Sequence, residues 1–295
     1  MRIVNNGQGV AQQGPSGEDI YLMEWALAGH FGVLQAVKIS DGKAAGKRGQ
    51  HTPLLIQPLR RGAACRYGRG SGGCAMKWPE LADIETRVPP PEGCRVTRLN
   101  RRDIPLLIDS IRRWYPDVAV GGASCYLTQA FFETDATLEG EVDKPLLVVM
   151  VWKGEALVGF VSWDWEEAPQ ALYARFGVVD PEHRALGMGT FSMQFGEALG
   201  RLMGAGFIYS MCTLKMPNMQ KAFERAGYRL LGFAPGYDRE LVSPGVVKRV
   251  FEAYYAKILV PHDQLSVPQI KNMTPQTLAL FQALFPEFLV ESNAT

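Results

Sequence analysis

One short segment sets the tightest limit on what this chain can fold into. Val178-Val179-Asp180-Pro181-Glu182-His183-Arg184-Ala185-Leu186-Gly187-Met188-Gly189-Thr190 links a β-rich run, Ala171 to Val179, to a helical stretch, Gly187 to Gly204. In that stretch Met188, Phe191, Phe195, Ala198, Leu199, Leu202 and Met203 fall on one stripe. A strand that stops at a proline and passes straight into an amphipathic helix aims several backbone N–H groups, and the positive end of the helix dipole, at one spot. Such a spot attracts an anion. Gly187 and Gly189 would let a phosphate approach without a Cβ in the way. The loop does not complete G-x-G-x-x-G, because Thr190, Phe191 and Ser192 follow Gly189, and Gly46-Lys47 is followed by Arg48, which breaks the P-loop pattern. A dinucleotide fold and a P-loop nucleotidase are thereby disfavoured.

The elements around this unit alternate regularly. Asp103-Ile104-Pro105 opens a helix with Ile104, Leu107, Ile108, Ile111 and Trp114 on one face. Tyr126 to Thr137 reads as a second, weaker helix. Leu146 to Trp152 and Leu157 to Trp165 form a hairpin across Lys153-Gly154-Glu155, and a third strand runs from Ala171 to Val179. After the helix come a strand at Phe207 to Leu214, a short helix from Asn218 to Ala226 ended by Gly227, and a strand at Tyr228 to Phe233. Val247 to Leu259 is β-rich and is expected to pair with that strand across a loop spanning Ala234 to Val246, and Thr274-Pro275 caps a last helix reaching Phe285. The order predicts a mixed α/β fold with a mainly antiparallel sheet flanked by helices.

Composition divides the chain. Nine of its 31 Lys and Arg, but only four of its 30 Asp and Glu, lie in the first 75 residues. Gly42 to Ala75 holds seven basic residues, no acid and no apolar period, so disorder is expected there. Tyr67 alone could stack on a base near the Gly-Arg run, which makes a nucleic-acid arm the weaker reading. Residues 1–75 are read as a basic extension, a dispensable tail or a misassigned start, 76–260 as the main folded domain and 261–295 as a helical extension. Ile20 to Val37 carries Glu24, His30 and Gln35, which would be costly in hydrocarbon, and reads as helix or unstructured chain rather than a membrane span. Five scattered cysteines form no C-x-x-C pair, so no disulfide framework and no metal site are expected, and a reducing cytoplasm fits.

The loop Arg184-x-x-Gly187-x-Gly189 after Val178-Val179-Asp180-Pro181 resembles the acyl-coenzyme A signature of the GNAT (GCN5-related N-acetyltransferase) superfamily. The flanking elements resemble that family too: Asp103-Ile104-Pro105 its first helix, the hairpin at Lys153-Gly154 its second and third strands, Asn218 through Gly227-Tyr228 its last helix. The resemblance covers Val96 to Leu259. It implies a sheet that splays, transfer of an acetyl or other short acyl group from acetyl-coenzyme A to a small-molecule or peptide amine, and no metal. Gly177, Val178 and Val179 would hold the pantetheine arm by their backbone. Arg184, Ala185, Leu186, Gly187, Met188, Gly189 and Thr190 would hold the pyrophosphate, and Asn218 would meet the pantetheine from the other side. The thioester would lie near Tyr173, Arg175 and Cys212. Where many relatives keep an acidic tyrosine, four residues before the helix-ending glycine, this chain has Phe223, so Tyr173 or Tyr237 would substitute, or water would protonate the thiolate.

Two readings compete for the carboxylates. Glu166 and Glu167, with Asp164 just before, sit in a turn between central strands and serve either as the base or as solvated turn residues. Asp238 and Glu240, with Glu139, would suit a cationic acceptor. Cys212 in an apolar strand is more simply a core residue. The rival function is an acyl-coenzyme A-binding module without turnover, which Phe223 keeps open, and Val247 to Phe285 leaves a homodimer open.

Overall fold

The computed structural model describes residues 76–288 and, nearer the N-terminus, four short strands. Two compact units divide at Gly73 and Cys74. In the first, β1 (Ala11–Gln13) pairs antiparallel with β2 (Asp19–Tyr21), and β3 (Glu24–Leu27) with β4 (His30–Val33). Strand pairing therefore replaces the helix or unstructured chain expected within Ile20 to Val37. The basic stretch from Gly42 to Ala75 lies outside the described residues.

The second unit is built on an eight-stranded sheet. Its strands are β5 (Cys94–Arg98), β6 (Ala136–Thr137), β7 (Leu146–Lys153), β8 (Ala156–Glu166), β9 (Ala171–Val179), β10 (Phe207–Thr213), β11 (Arg229–Ser243) and β12 (Val246–Ile258). The order is β11-β12-β10-β9-β8-β7-β5, with β6 beside β7. Only β6–β7 and β9–β10 are parallel, so the sheet is mixed and mainly antiparallel.

Both faces of the sheet are covered, which explains why β7 reads as unbroken apolar sequence rather than an alternation. Leu147, Val149 and Val151 join a core with α1 (Leu81–Glu85), α4 (Met188–Met203) and α5 (Asn218–Arg225). Leu146, Val148, Met150 and Trp152 join a second core with α2 (Ile104–Trp114) and α3 (Gln129–Asp135). Helix α2 buries Ile104, Leu107, Ile108, Ile111 and Trp114, each worth about 1.5–3 kcal/mol against exposure. Trp78 is fully buried, and its indole donates to the Lys144 carbonyl at 2.8 Å, fastening the start of this unit to the sheet edge.

Two elements differ from their sequence reading. The helix expected from Tyr126 to Thr137 is broken: a 3-10 turn covers Gly122–Leu127, Thr128 is extended, and α3 begins only at Gln129. The expected loop from Ala234 to Val246 is instead the far half of a long hairpin, β11–β12, which turns at Pro244-Gly245, where Gly245 has φ +74°. Register shifts at Pro235/Asp238 and Leu241/Ser243 mask its two-residue period. After β12, α6 (Pro275–Leu284) starts at Thr274, whose hydroxyl accepts from the Thr277 amide at 3.2 Å.

Candidate active site

The sheet comes apart at one place. Strands β9 and β10 pair only at Phe207↔Ala171, Ile208↔Leu172 and Tyr209↔Tyr173, and beyond these residues the parallel ladder stops. A backbone irregularity accompanies the break. Ser162 pairs with Phe176 and Trp163 with Ala174, which leaves Arg175 as an extra residue in β9. A bulge bends its strand and re-aims side chains, and here it lies one turn of the ladder beyond the last β9–β10 pair. Ser210 spans the start of the gap by donating from its hydroxyl to the Ala174 carbonyl at 2.6 Å.

The gap opens toward the loop that leads into α4. Asp180 organises this loop: its carboxylate accepts from the Glu182 amide at 3.1 Å and meets His183 Nδ1 at 3.1 Å. Gly187 then adopts φ +73°, ψ 16° as the N-cap of α4. The first intrahelical bond at this end runs from the Phe191 amide to the Gly187 carbonyl at 3.0 Å. The amides of Met188, Gly189 and Thr190 precede it, and a helix supplies no acceptor for such groups.

The two glycines have different tasks. A Cβ on Gly187 would meet nothing within 4 Å, so its glycine is required by the left-handed backbone alone. A Cβ on Gly189 would come within 3.3 Å of the Ala222 Cβ, so this glycine sets the approach of α5 to α4. Gly177 faces neither: its Cβ would lie 3.0 Å from the Phe160 carbonyl on β8. Val178 is buried, Val179 half-buried, and Leu186 and Thr190 partly covered, whereas Arg184 is exposed. Met188 is 2 % exposed and points into the core. Asn218 is the exposed first residue of α5.

One face of the fork carries the polar groups. Tyr173, Tyr209 and Tyr254 cluster there, with Tyr173 stacked on Tyr209 at 4.8 Å. Strand alternation puts Glu252 on the same face as Tyr254, and it pairs with Thr213 on β10 and Ala234 on β11. Asp238 and Glu240 oppose Val250 and Lys248, so they share that face. Asp238 accepts from the Gly122 amide at 2.8 Å, docking the hairpin against the turn after α2, and Lys215 meets Glu240 at 2.8 Å and Asp117 at 3.3 Å. Arg175 meets Asp164 at 2.7 Å and lies over the rings of Tyr126 and Phe131.

Burial dominates the electrostatics. It pushes the Glu252 carboxyl up to about 7, with the negative charges of Asp238 and Glu240 adding to the rise. Tyr173 is raised well above the usual phenol range, first by burial and then by Tyr237, Tyr209 and Glu252. Tyr237 is raised by burial and is in hydrogen-bonding contact with Tyr173. The Cys212 thiol is pushed up to about 12 by burial and stays protonated, the state of a packing residue rather than a nucleophile.

The sequence candidates separate accordingly. Tyr173 stands at the last β9–β10 pair, the mouth of the fork. Glu166 and Glu167 lie at the end of β8 away from Gly177; Glu166 pairs with Ala171, two residues from Tyr173 on the paired side of the fork's mouth. Glu166 accepts from the Tyr209 hydroxyl at 2.8 Å, and Glu167 is an exposed turn residue. Phe223 is buried and stacks on Tyr255 at 5.1 Å, and Tyr228 is buried beside it. Sequence reading missed Glu252, because its signal is a carboxylate inside an otherwise β-rich run, Val250 to Ala256, and that signal was absorbed into the strand.

Among the described residues, no group of three or more His, Cys, Asp or Glu is placed to hold a metal ion, and no helix is long and apolar enough to cross a membrane. No curated protein matches the chain. Solved structures similar to it include a dodecameric spermidine N-acetyltransferase from Vibrio cholerae, at 11% identity and TM-score 0.45, covering 57% of this chain and 94% of that one. The ribosomal-protein-S18-alanine N-acetyltransferase of Escherichia coli is similar at 13% identity and TM-score 0.46, over 59% and 99%. Ard1 of Thermoplasma volcanium is similar at 14% identity and TM-score 0.44, over 57% and 99%. Residues 108–228, from within α2 to the residue before β11, match the model of the acetyltransferase (GNAT) family.

Proposed function

We propose that this chain transfers an acetyl or other short acyl group from coenzyme A to the primary amine of a small molecule or peptide. The observation that carries this reading is the fork itself. A strand edge at Arg175 to Val179 leads through the 3-10 turn Pro181–Leu186 to the N-terminus of α4, and the same gap is flanked on one face by tyrosines and carboxylates. The unpaired edge of Gly177, Val178 and Val179 can take up an extended amide-bearing arm as an additional strand. The amides of Met188, Gly189 and Thr190 suit the phosphates at its end, with Arg184, Ala185 and Leu186 in the preceding turn and Asn218 on the opposite helix.

With the thioester at the mouth of the fork, the amine nitrogen attacks its carbonyl carbon, the C–N bond forms and the C–S bond breaks. The ammonium proton must leave before attack, and the departing thiolate takes up a proton. Tyr173 keeps its proton at neutral pH, so it can donate a hydrogen bond to the leaving sulfur. The carboxylates Asp238, Glu240 and Glu252 favour a cationic acceptor over an anionic one.

A second reading has one observation behind it. Phe223 is packed into the core, so α5 offers no acidic tyrosine. A module that binds acyl-coenzyme A without turnover would need none. Thiol release from acetyl-coenzyme A over a panel of primary amines, beside a binding isotherm for coenzyme A, separates the two. Turnover with any amine supports transfer; micromolar binding without turnover supports the module; absence of binding sinks both.

A further inference from the structure

We propose that Glu252 is the base that takes the proton from the acceptor ammonium. The assignment rests on the acyl-transfer reading above and adds the residue that completes it. Four acids beside the fork are already engaged. Asp164 is held by Arg175. Asp238 accepts from the Gly122 and Arg239 amides. Glu240 is paired with Lys215. Glu166 accepts from the Tyr209 hydroxyl, on the paired side of the fork's mouth. A carboxylate that already holds a cation or accepts hydrogen bonds has lone pairs committed to those partners.

Glu252 differs from all four. Its residue is 9 % exposed, and burial and neighbouring charge act on it without any hydrogen bond among the described residues. Paired with the last residue of β10, it stands four positions past Tyr209 along the open arm of the fork, level with Gly177 on the other arm. The groups that surround it are known from each packed element: Asp238, Glu240 and Tyr237 on β11, Cys212 on β10, Tyr173 on β9 and Tyr115 after α2. All are acids or neutral at pH 7; the two cations that act on tyrosines of this cluster are each paired elsewhere, Lys215 with Glu240 and Asp117 and Arg175 with Asp164. A solitary buried carboxylate in such company holds its proton until neutral pH, and an ammonium entering beside it supplies the missing counter-charge. The transfer balances: the ammonium N–H bond breaks, the proton goes to a Glu252 oxygen, and the nitrogen lone pair is freed for the thioester carbon.

The test uses full-length protein, acetyl-coenzyme A, and benzylamine, lysine methyl ester and a short peptide with a free α-amine as probes. Glu252→Gln is expected to lower kcat by at least about a hundredfold. Its KM for acetyl-coenzyme A should stay within about twofold, and the acid limb of the kcat/KM profile near pH 7 should vanish. Glu252→Asp should recover part of kcat with the limb retained. In protein carrying 13C-labelled glutamate, the Glu252 carboxyl should titrate near pH 7, apart from the other glutamates. A Glu252→Gln enzyme with wild-type kcat and an intact limb overturns the assignment while leaving acyl transfer standing. A Glu252 midpoint near 4 overturns it as well. A wild-type protein that binds acetyl-coenzyme A but releases no thiol with any probe overturns acyl transfer, and the base with it.

Discussion

The guanidinium of Arg175 meets the carboxylate of Asp164 at 2.7 Å on the face of the sheet where β9 leaves β10, both side chains about one-fifth exposed. Arg175 is also the residue that the bulge inserts into β9. Charge and backbone distortion therefore coincide: the bulge turns Arg175 toward α3, the aromatic rings of Tyr126 and Phe131 shield it, and Asp164 balances it. Removing one partner leaves the other poorly solvated. Asp164→Asn should destabilise the protein by about 3 kcal/mol in urea denaturation. The double variant with Arg175→Gln should cost less than the sum of the single ones. Strict additivity would show that the pair is not coupled.

Gly187 and Gly189 should respond differently to a side chain. In Gly187→Val the Cβ has space, but a β-branched residue is strained at φ +73°. A loss of about 1–2 kcal/mol and a rise of more than tenfold in the coenzyme A dissociation constant are expected. Gly189→Val pushes on Ala222 and should loosen α5 from α4, so stability falls with affinity. Calorimetric titration beside thermal melts resolves the two: affinity lost with a fall in Tm of only a few degrees for Gly187, and a larger fall in Tm accompanying the lost affinity for Gly189.

Most of the architecture was legible because apolar period reports burial directly. The stripe in α4, the face of α2 and the unbroken apolar β7 all follow from what covers them. The far half of the β11–β12 hairpin was not, since a solvated arm has little apolar signal and its Pro235 and Gly236 look like loop residues. Glu166, Glu167 and Glu252 show the same limit at the site. Adjacency in sequence drew attention to a turn, whereas the fork brings together Tyr173, Asp238 and Glu252 from three strands, and only the register decides which face a strand carboxylate occupies.

Glu252 also predicts a pH dependence of stability. Its folded-state carboxyl titrates at about 7, above the ordinary 4.5. Between those values the unfolded chain has released a proton that the native state still binds, so this group makes stability fall as pH rises from 4.5 to 7 and adds no further slope above. Glu252→Gln should remove that slope and stabilise the protein at pH 8 by up to about 3 kcal/mol. Urea midpoints at pH 5 and pH 8 in both proteins check it. An unchanged difference between the two pH values would show that Glu252 is not the group responsible.

Phe223→Tyr is the substitution that a comparison of sequence patterns would suggest for restoring an acid on α5. The packing argues against a gain. The Phe223 ring is 1 % exposed, lies parallel to Tyr255 at 5.1 Å and tilted to Tyr228 at 5.2 Å, and belongs to the core under α4 rather than to the polar face of the fork. A hydroxyl added there enters a packed apolar site, where an unsatisfied buried group costs about 1–3 kcal/mol and the added volume costs more if the core cannot shift. The variant should therefore melt several degrees lower, with kcat no higher than wild type, and the fluorescence of the added phenol should be insensitive to acrylamide. A variant that is stable and faster would mean that this position turns toward the fork when substrate is bound, and would return the acid to α5.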